Sequence, residues 1–177
     1  MKKLLILHCW WGTPNDNWYS YLKDEAEKLG YEVHLPQLVD KDNPTLEDWT
    51  KSALKDFVID ENTSIVGHSL GALLAMKLVQ NSSVKIDKLV LVSGWDFWDL
   101  TPEHKTFFDI PMDQEKIKSN SNHITVVHST NDPYITVFQA EEMSKRLNAD
   151  FIKIENGGHL QASDGFKEFP KLVELLK

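Results

Sequence analysis

Thr63-Ser64-Ile65-Val66-Gly67-His68-Ser69-Leu70-Gly71-Ala72-Leu73-Leu74-Ala75-Met76-Lys77-Leu78-Val79 is the stretch that decides the fold. Thr63–Val66 is a short β-type run, and the run from Ala72 onward is helical in character. Between them lies G-x-S-x-G, a pattern that places a serine on a sharp strand-to-helix turn with its hydroxyl exposed. The flanking glycines remove Cβ atoms that would clash where the backbone turns back on itself. The helix that begins there directs its N-terminal N–H groups, led by that of Leu70, at the place where negative charge would develop on a substrate oxygen.

Outward from this stretch, apolar runs and helical patterns alternate. Strands are predicted at Leu4–Cys9, Tyr31–Leu35, Thr63–Val66, Lys88–Ser93, His123–His128 and Phe151–Ile154. Helices are predicted at Asn17–Leu29, stopped by Gly30, and from a Thr45 cap to about Asp56. Others run from the serine turn to about Asn81, over Val137–Leu147 and over Gly165–Leu176. Near-continuous apolar strands separated by helices imply an α/β fold, with a mostly parallel sheet of about six strands covered by helices on both faces. In such a sheet ligands bind beyond the carboxyl ends of the strands. The irregular block 94–122 carries Trp95, Phe97, Trp98, Phe107 and Phe108. It reads either as a short flap over a pocket or as a loop packed on the core.

Bulk properties narrow the function. The 177 residues suit one domain, 1–177, with 41% hydrophobic and 26% charged residues and a net charge of −8. That length can bury about 70% of the unfolded chain's surface. With no basic stripe, nucleic acid and anionic membrane are not expected partners. No run reaches transmembrane length. Met1–Leu7 resembles the start of a signal peptide, but the apolar run ends at His8 and no small-residue cleavage site follows, so it reads as a buried strand. The single cysteine, Cys9, permits no internal disulfide and points to a reducing compartment, hence a cytoplasmic location. His8, Cys9, His68 and His128 could converge past the strand ends, yet no H-E-x-x-H or paired-cysteine spacing supports a metal. No phosphate-binding glycine motif supports a nucleotide, so no cofactor is expected.

Two later segments supply partners for Ser69. Asp132 follows a strand within Asn131-Asp132-Pro133, which is also good turn chemistry in its own right. His159 follows the last strand within Gly157-Gly158-His159, where the glycines allow close approach to the sheet edge. A serine hydroxyl is a weak nucleophile and needs an adjacent base. A neutral imidazole can take its proton, and a carboxylate on the far ring nitrogen fixes the tautomer. An oxyanion then needs two N–H donors. Leu70 is one, and Trp10 in the loop after the first strand is the other, with Trp11 the alternative. Trp11, Trp95 and Phe97 are the expected pocket walls, whereas Trp18 reads as core. His8 and His68 read as half-buried histidines bonded to backbone.

Together these segments resemble the α/β-hydrolase fold. More narrowly, the chain is similar to the small serine hydrolases related to retinoblastoma-binding protein 9 and the bacterial YdeN-type proteins. The similarity rests on His8 to Trp18, Gly67–Gly71, Leu91-Val92-Ser93-Gly94, Asn131-Asp132-Pro133-Tyr134 and Gly157-Gly158-His159. It implies a Ser69, Asp132, His159 triad, a compact sheet, and hydrolysis of small carboxylic esters or related acyl bonds through an acyl-enzyme. Cys9 stands where relatives commonly have Gly. Thioesterase, lactonase, peptidase and acyltransferase chemistry would use the same three residues. A second reading is a hydrolase-fold binding protein with weak or vestigial activity, motivated by Cys9 and the aromatic segment from Trp95 to Phe108.

Overall fold

The computed structural model describes residues 1–177. Six strands, β1 (Lys3–Leu7), β2 (Glu32–His34), β3 (Thr63–His68), β4 (Ile86–Val92), β5 (Ser121–Ser129) and β6 (Asp150–Ile154), form one sheet in the order β2-β1-β3-β4-β5-β6. Every neighbouring pair is parallel. The chain moves from β1 outward to β2, then returns to the other side of β1 for β3. The segments leaving β1 and β3 therefore diverge, and a crevice opens between them at the strands' carboxyl ends.

Side-chain alternation explains the two layers around the sheet. Leu5, Leu7, Ile65, Leu89, Leu91 and Val126 face α2 (Leu46–Leu54), α3 (Leu70–Gln80), α4 (Gln114–Ser119) and α5 (Val137–Leu147). Leu4, Ile6, Val66, Val90, Val92 and Val127 face α1 (Tyr19–Lys28) and α6 (Pro170–Leu176). The first cluster holds 28 buried residues and the second 15, so the larger core lies beneath α3. All of α3 is buried, including Lys77, whose ammonium donates to the Ile110 carbonyl. Burial lowers the Lys77 pKa. No helix is long and apolar enough to cross a membrane.

Several element boundaries differ from the sequence reading, each for a local reason. β1 stops at Leu7 because His8 turns its ring into the molecule, where Nε2 accepts from the Leu38 N–H at 3.0 Å. The first helix starts at Tyr19, since Asn17 has a φ of 51° and cannot be helical. The last helix starts at Pro170 rather than Gly165, because Ala162–Asp164 is a separate 3-10 turn closed by Gly165 at φ 99°. Pro170 then occupies the first helical turn, which tolerates proline. Block 94–122 contains a 3-10 helix, Pro102–Phe107, and the short α4, capped by the Asp113 side chain on the Lys116 N–H. Phe107 anchors the block by packing edge-on against Trp49 at 5.7 Å.

Candidate active site

The five segments that leave β1, β3, β4, β5 and β6 meet at one end of the sheet. Ser69 has φ 55° and ψ −121°, a conformation that costs roughly 1–3 kcal/mol outside such a turn. Its N–H stays bonded to the Val92 carbonyl at 2.8 Å, and its carbonyl accepts the Ala72 N–H at 2.9 Å. Both ends of the elbow are thus tied, to β4 and to α3. The two glycines are required by close backbone approach. A Cβ on Gly67 would lie 2.7 Å from the Ala72 Cα, and one on Gly71 would lie 2.5 Å from the His8 carbonyl oxygen.

The structure brings Ser69, His159 and Asp132 into one hydrogen-bonded chain. His159 Nε2 lies 2.9 Å from Ser69 Oγ, and Nδ1 lies 2.8 Å from Asp132 Oδ2. Ser69 and His159 are 8% and 6% exposed, so the pair meets at the floor of a cavity. The Asp132 side chain is fully covered. Burial alone would raise its pKa. The hydrogen bond and charge of His159, with the N–H groups of Tyr134 and Ile135 on Oδ1, outweigh burial and hold it below the usual carboxylate value. The turn role and the orienting position expected for Asp132 therefore coexist, because one carboxylate oxygen serves each.

His159 sits on a loop fixed from several sides. Its N–H donates to Asp164 Oδ2 at 2.9 Å. The Gly157 N–H donates to Ser129 Oγ, and the Gly158 N–H to Asn131 Oδ1, each at 2.8 Å. Gly158 adopts φ 58°, and a Cβ there would run into the Asp164 carboxylate.

On the opposite side, the Cys9 N–H donates to the Tyr19 hydroxyl at 3.0 Å. That bond occupies Cys9 and leaves the Trp10 N–H, which makes no bond within the protein, as the next donor along the loop. The Leu70 N–H opens α3 and has no intrahelical acceptor. Burial raises the Cys9 thiol pKa, so it is less readily ionised than a free cysteine.

A cavity of about 580 Å³ covers these groups. Trp10, Trp11 and Trp95 form its aromatic wall, and Ser69 and His159 its floor. Phe97 is a correction to the sequence reading. It lies outside this cavity, in a separate hollow beside Phe138 and Arg146. The cause is the ion pair between the neighbouring Asp96 and Arg146, with an Nε–Oδ2 distance of 2.9 Å, which draws the chain toward α5 just after Trp95. Trp18 is core, its indole N–H bonded to the Leu160 carbonyl at 2.9 Å. His8 and His68 are buried and backbone-bonded, and burial lowers the pKa of each.

Sequence reasoning misses Tyr19, Asn17 and His104. Tyr19 and Asn17 blend into a helix pattern. The left-handed backbone at Asn17, which frees its amide to bond the Tyr19 hydroxyl and the Ala162 N–H, has no strong sequence marker. His104 lies in a proline-started 3-10 helix that carries no catalytic motif.

An all-parallel sheet with a serine on the turn after its third strand, flanked by helices on both faces, is the α/β-hydrolase fold. Residues 4–177 match the serine hydrolase family, and the chain belongs to it. It is 30% identical to serine hydrolase RBBP9 of Rattus norvegicus over 163 residues, 90% of this chain and 84% of that protein. It is 24% identical to YdeN of Bacillus subtilis (strain 168), over 99% of this chain and 94% of the other. The crystal structure of the B. subtilis ydeN product superposes with a TM-score of 0.89 at 23% identity, covering 99% of this chain and 97% of that one.

Proposed function

We propose that the chain hydrolyses small carboxylic esters through a covalent acyl-enzyme, with Ser69 as nucleophile, His159 as general base and acid, and Asp132 as the group that orients His159. The observation that carries this reading is the continuous pair of hydrogen bonds from Ser69 Oγ through His159 to Asp132, at 2.9 and 2.8 Å. Asp132 accepts the Nδ1–H, so the other ring nitrogen faces Ser69 as a bare acceptor. As Ser69 Oγ attacks the acyl carbon, its proton passes to His159 Nε2. The carbonyl electron pair moves onto oxygen, where the Leu70 and Trp10 N–H groups stabilise it. Collapse expels the alcohol, which takes the proton from His159. Water then repeats the sequence, with His159 again as base, to release the acid and restore Ser69.

The tryptophan-walled cavity suits the apolar part of a small-molecule ester better than a charged one. The single, partly buried cysteine accords with work in the cytoplasm, a reducing compartment.

A fluorophosphonate probe tests the assignment. It is expected to label the wild-type protein at Ser69, and Ser69→Ala is expected to remove the label together with turnover of p-nitrophenyl acetate and butyrate. Labelling that persists in Ser69→Ala overturns the choice of nucleophile. Ester turnover no greater than the Ser69→Ala background overturns the esterase reading and favours a binding role.

A further inference from the structure

Two side chains in the cavity wall each carry a buried polar atom with no partner. His104 is 6% exposed and Trp95 is 4% exposed, and both line the cavity that holds Ser69 and His159. His104 Nδ1 lies 3.0 Å from Asp99 Oδ2 and 3.2 Å from Oδ1. Asp99 is itself fixed by the Thr101 N–H and hydroxyl, each at 3.2 Å. A carboxylate can only accept, so Nδ1 carries the hydrogen and, in the neutral ring, Nε2 is an acceptor. That Nε2 has no partner. The Trp95 indole N–H, a donor, has none either. The two rings are 5.4 Å apart, centroid to centroid.

Trp10 in the cavity wall and the buried Trp18 and Trp49 differ. Trp10, Trp18 and Trp49 donate to the carbonyls of Lys41, Leu160 and Val39 at 2.7, 2.9 and 2.8 Å. An unpaired donor and an unpaired acceptor side by side, beside a candidate nucleophile, form a pattern that a ligand can complete. A hydroxyl is the smallest group that does both, accepting from the indole and donating to the imidazole. A carboxylate has no hydrogen to donate, and an ammonium has no lone pair to accept. Around the pair, Trp10 stands edge-on to His104 at 4.9 Å, and Trp11, tilted by 38° to Trp10, extends the aromatic wall.

We propose that Trp95 and His104, the latter held by Asp99, form a specificity pair that selects esters whose aromatic portion bears a free hydroxyl. The inference rests on the ester-hydrolase reading of Ser69 and narrows its substrate class. His104 takes no part in bond breaking. It recognises the substrate, and Asp99 is a positioning residue that acts through it.

Methyl 3-phenylpropanoate and its ortho-, meta- and para-hydroxy forms supply the test on the acyl side. Benzyl propanoate and its hydroxybenzyl counterparts supply it on the alcohol side. In the wild type, at least one hydroxylated isomer is expected to exceed its unsubstituted parent in kcat/KM by about tenfold or more. The quantity read in each variant is that ratio, whatever happens to the parent ester's own rate. His104→Phe is expected to bring it close to one, while His104→Gln, which restores an acceptor, keeps part of it. Trp95→Phe removes the indole donor alone and is expected to lower the ratio even if His104→Phe fails to fold. A wild-type ratio near one for every isomer, with the parent esters turned over, overturns this proposal and leaves the hydrolase reading intact. A preference that survives in folded His104→Phe and Trp95→Phe overturns it as well. Absence of turnover for all these esters, parents included, in a protein that cleaves p-nitrophenyl acetate overturns this inference alone; absence of p-nitrophenyl acetate turnover as well overturns the hydrolase reading and this inference with it.

Discussion

His68 donates from Nε2 to the carbonyl oxygen of His159 at 2.9 Å, so the residue next to the candidate nucleophile pins the loop that carries the candidate base. A carbonyl only accepts, which fixes the hydrogen on Nε2 and leaves Nδ1 to accept the Tyr19 hydroxyl at 2.6 Å. The Tyr19 oxygen in turn accepts the Cys9 N–H and the Asn17 amide, both at 3.0 Å. Asn17 Oδ1 accepts from the Ala162 N–H at 2.8 Å, back on the histidine loop. The network closes a ring from β3 to the loop after β1 to the His159 loop. It holds three parts of the proposed site in register without touching a substrate.

Tyr19→Phe tests that ring. Loss of the hydroxyl leaves the Cys9 N–H, His68 Nδ1 and the Asn17 amide short of a partner in a buried place. Each such loss costs about 1–3 kcal/mol. The variant is expected to lose about 2–4 kcal/mol in urea unfolding, given partial relaxation. Ester kcat is expected to fall about tenfold, because Trp10 and His159 are both held through the ring. Wild-type stability in Tyr19→Phe would show that the ring does not hold the loops.

Asp132→Asn separates the two roles of that carboxylate. The asparagine oxygen can still accept the Tyr134 and Ile135 N–H groups, so the turn survives. Its NH2 group then faces His159 Nδ1 and forces the opposite tautomer, with the hydrogen directed at Ser69. The expected result is a melting temperature within a few degrees of wild type and a kcat lower by on the order of 10⁴, the loss typical of a Ser-His-Asp site with the wrong tautomer. A loss under tenfold would remove Asp132 from the proposed chain.

The parts of this molecule that are legible in the sequence are those governed by periodicity and by backbone demand. The apolar runs give all six strands, and α5 matches its predicted span, Val137–Leu147, because its capping box and left-handed Asn148 stop are local signals. Ser69, Asp132 and His159 stand out because each follows a strand end and is marked by glycine or proline. Phe97 is misplaced by the sequence reading because neighbouring aromatics look alike in sequence, and only the distant Arg146 decides which one turns away from the cavity. Tyr19 and His104 stay hidden for the same reason. Their partners, His68 and Asp99 with Trp95, are identified by three-dimensional contact and not by spacing.

Gly67→Ala tests the steric argument for the elbow. The added methyl meets backbone of Gly71 and Ala72, which belong to the buried α3 and cannot rotate aside as a side chain can. The expected loss is about 3 kcal/mol or more, in the range reserved for overpacking and backbone conflict. Gly30→Ala provides the contrast. No atom lies within 4 Å of the place a methyl would take there, so the cost comes only from its φ of 84° and is expected to stay near ~1 kcal/mol. Equal losses in the two variants would remove the close-packing explanation for Gly67.

Stability is expected to fall as the solution is made mildly acidic, because the buried histidines are held neutral. Burial, with the nearby His159 ring adding to it, depresses the His68 pKa to about 3 from its ordinary 6.5. Burial lowers those of His8 and His128 as well. The unfolded chain therefore takes up protons below pH 6.5 that the folded chain refuses. Stability is full above 6.5 and declines as pH falls toward the folded values. His68 alone gives a loss on the order of 1 kcal/mol between pH 7.5 and 5.5, and His8 and His128 act in the same direction. The lowered Asp132 pKa adds its own loss only below about 4, the ordinary range of a carboxyl group. Urea unfolding at pH 7.5, 6.5 and 5.5 measures the slope. His68→Asn, which cannot titrate, is expected to make it shallower while His8 and His128 keep their share, and a wild-type slope of zero over that range would mean that His68 takes up its proton in the folded protein.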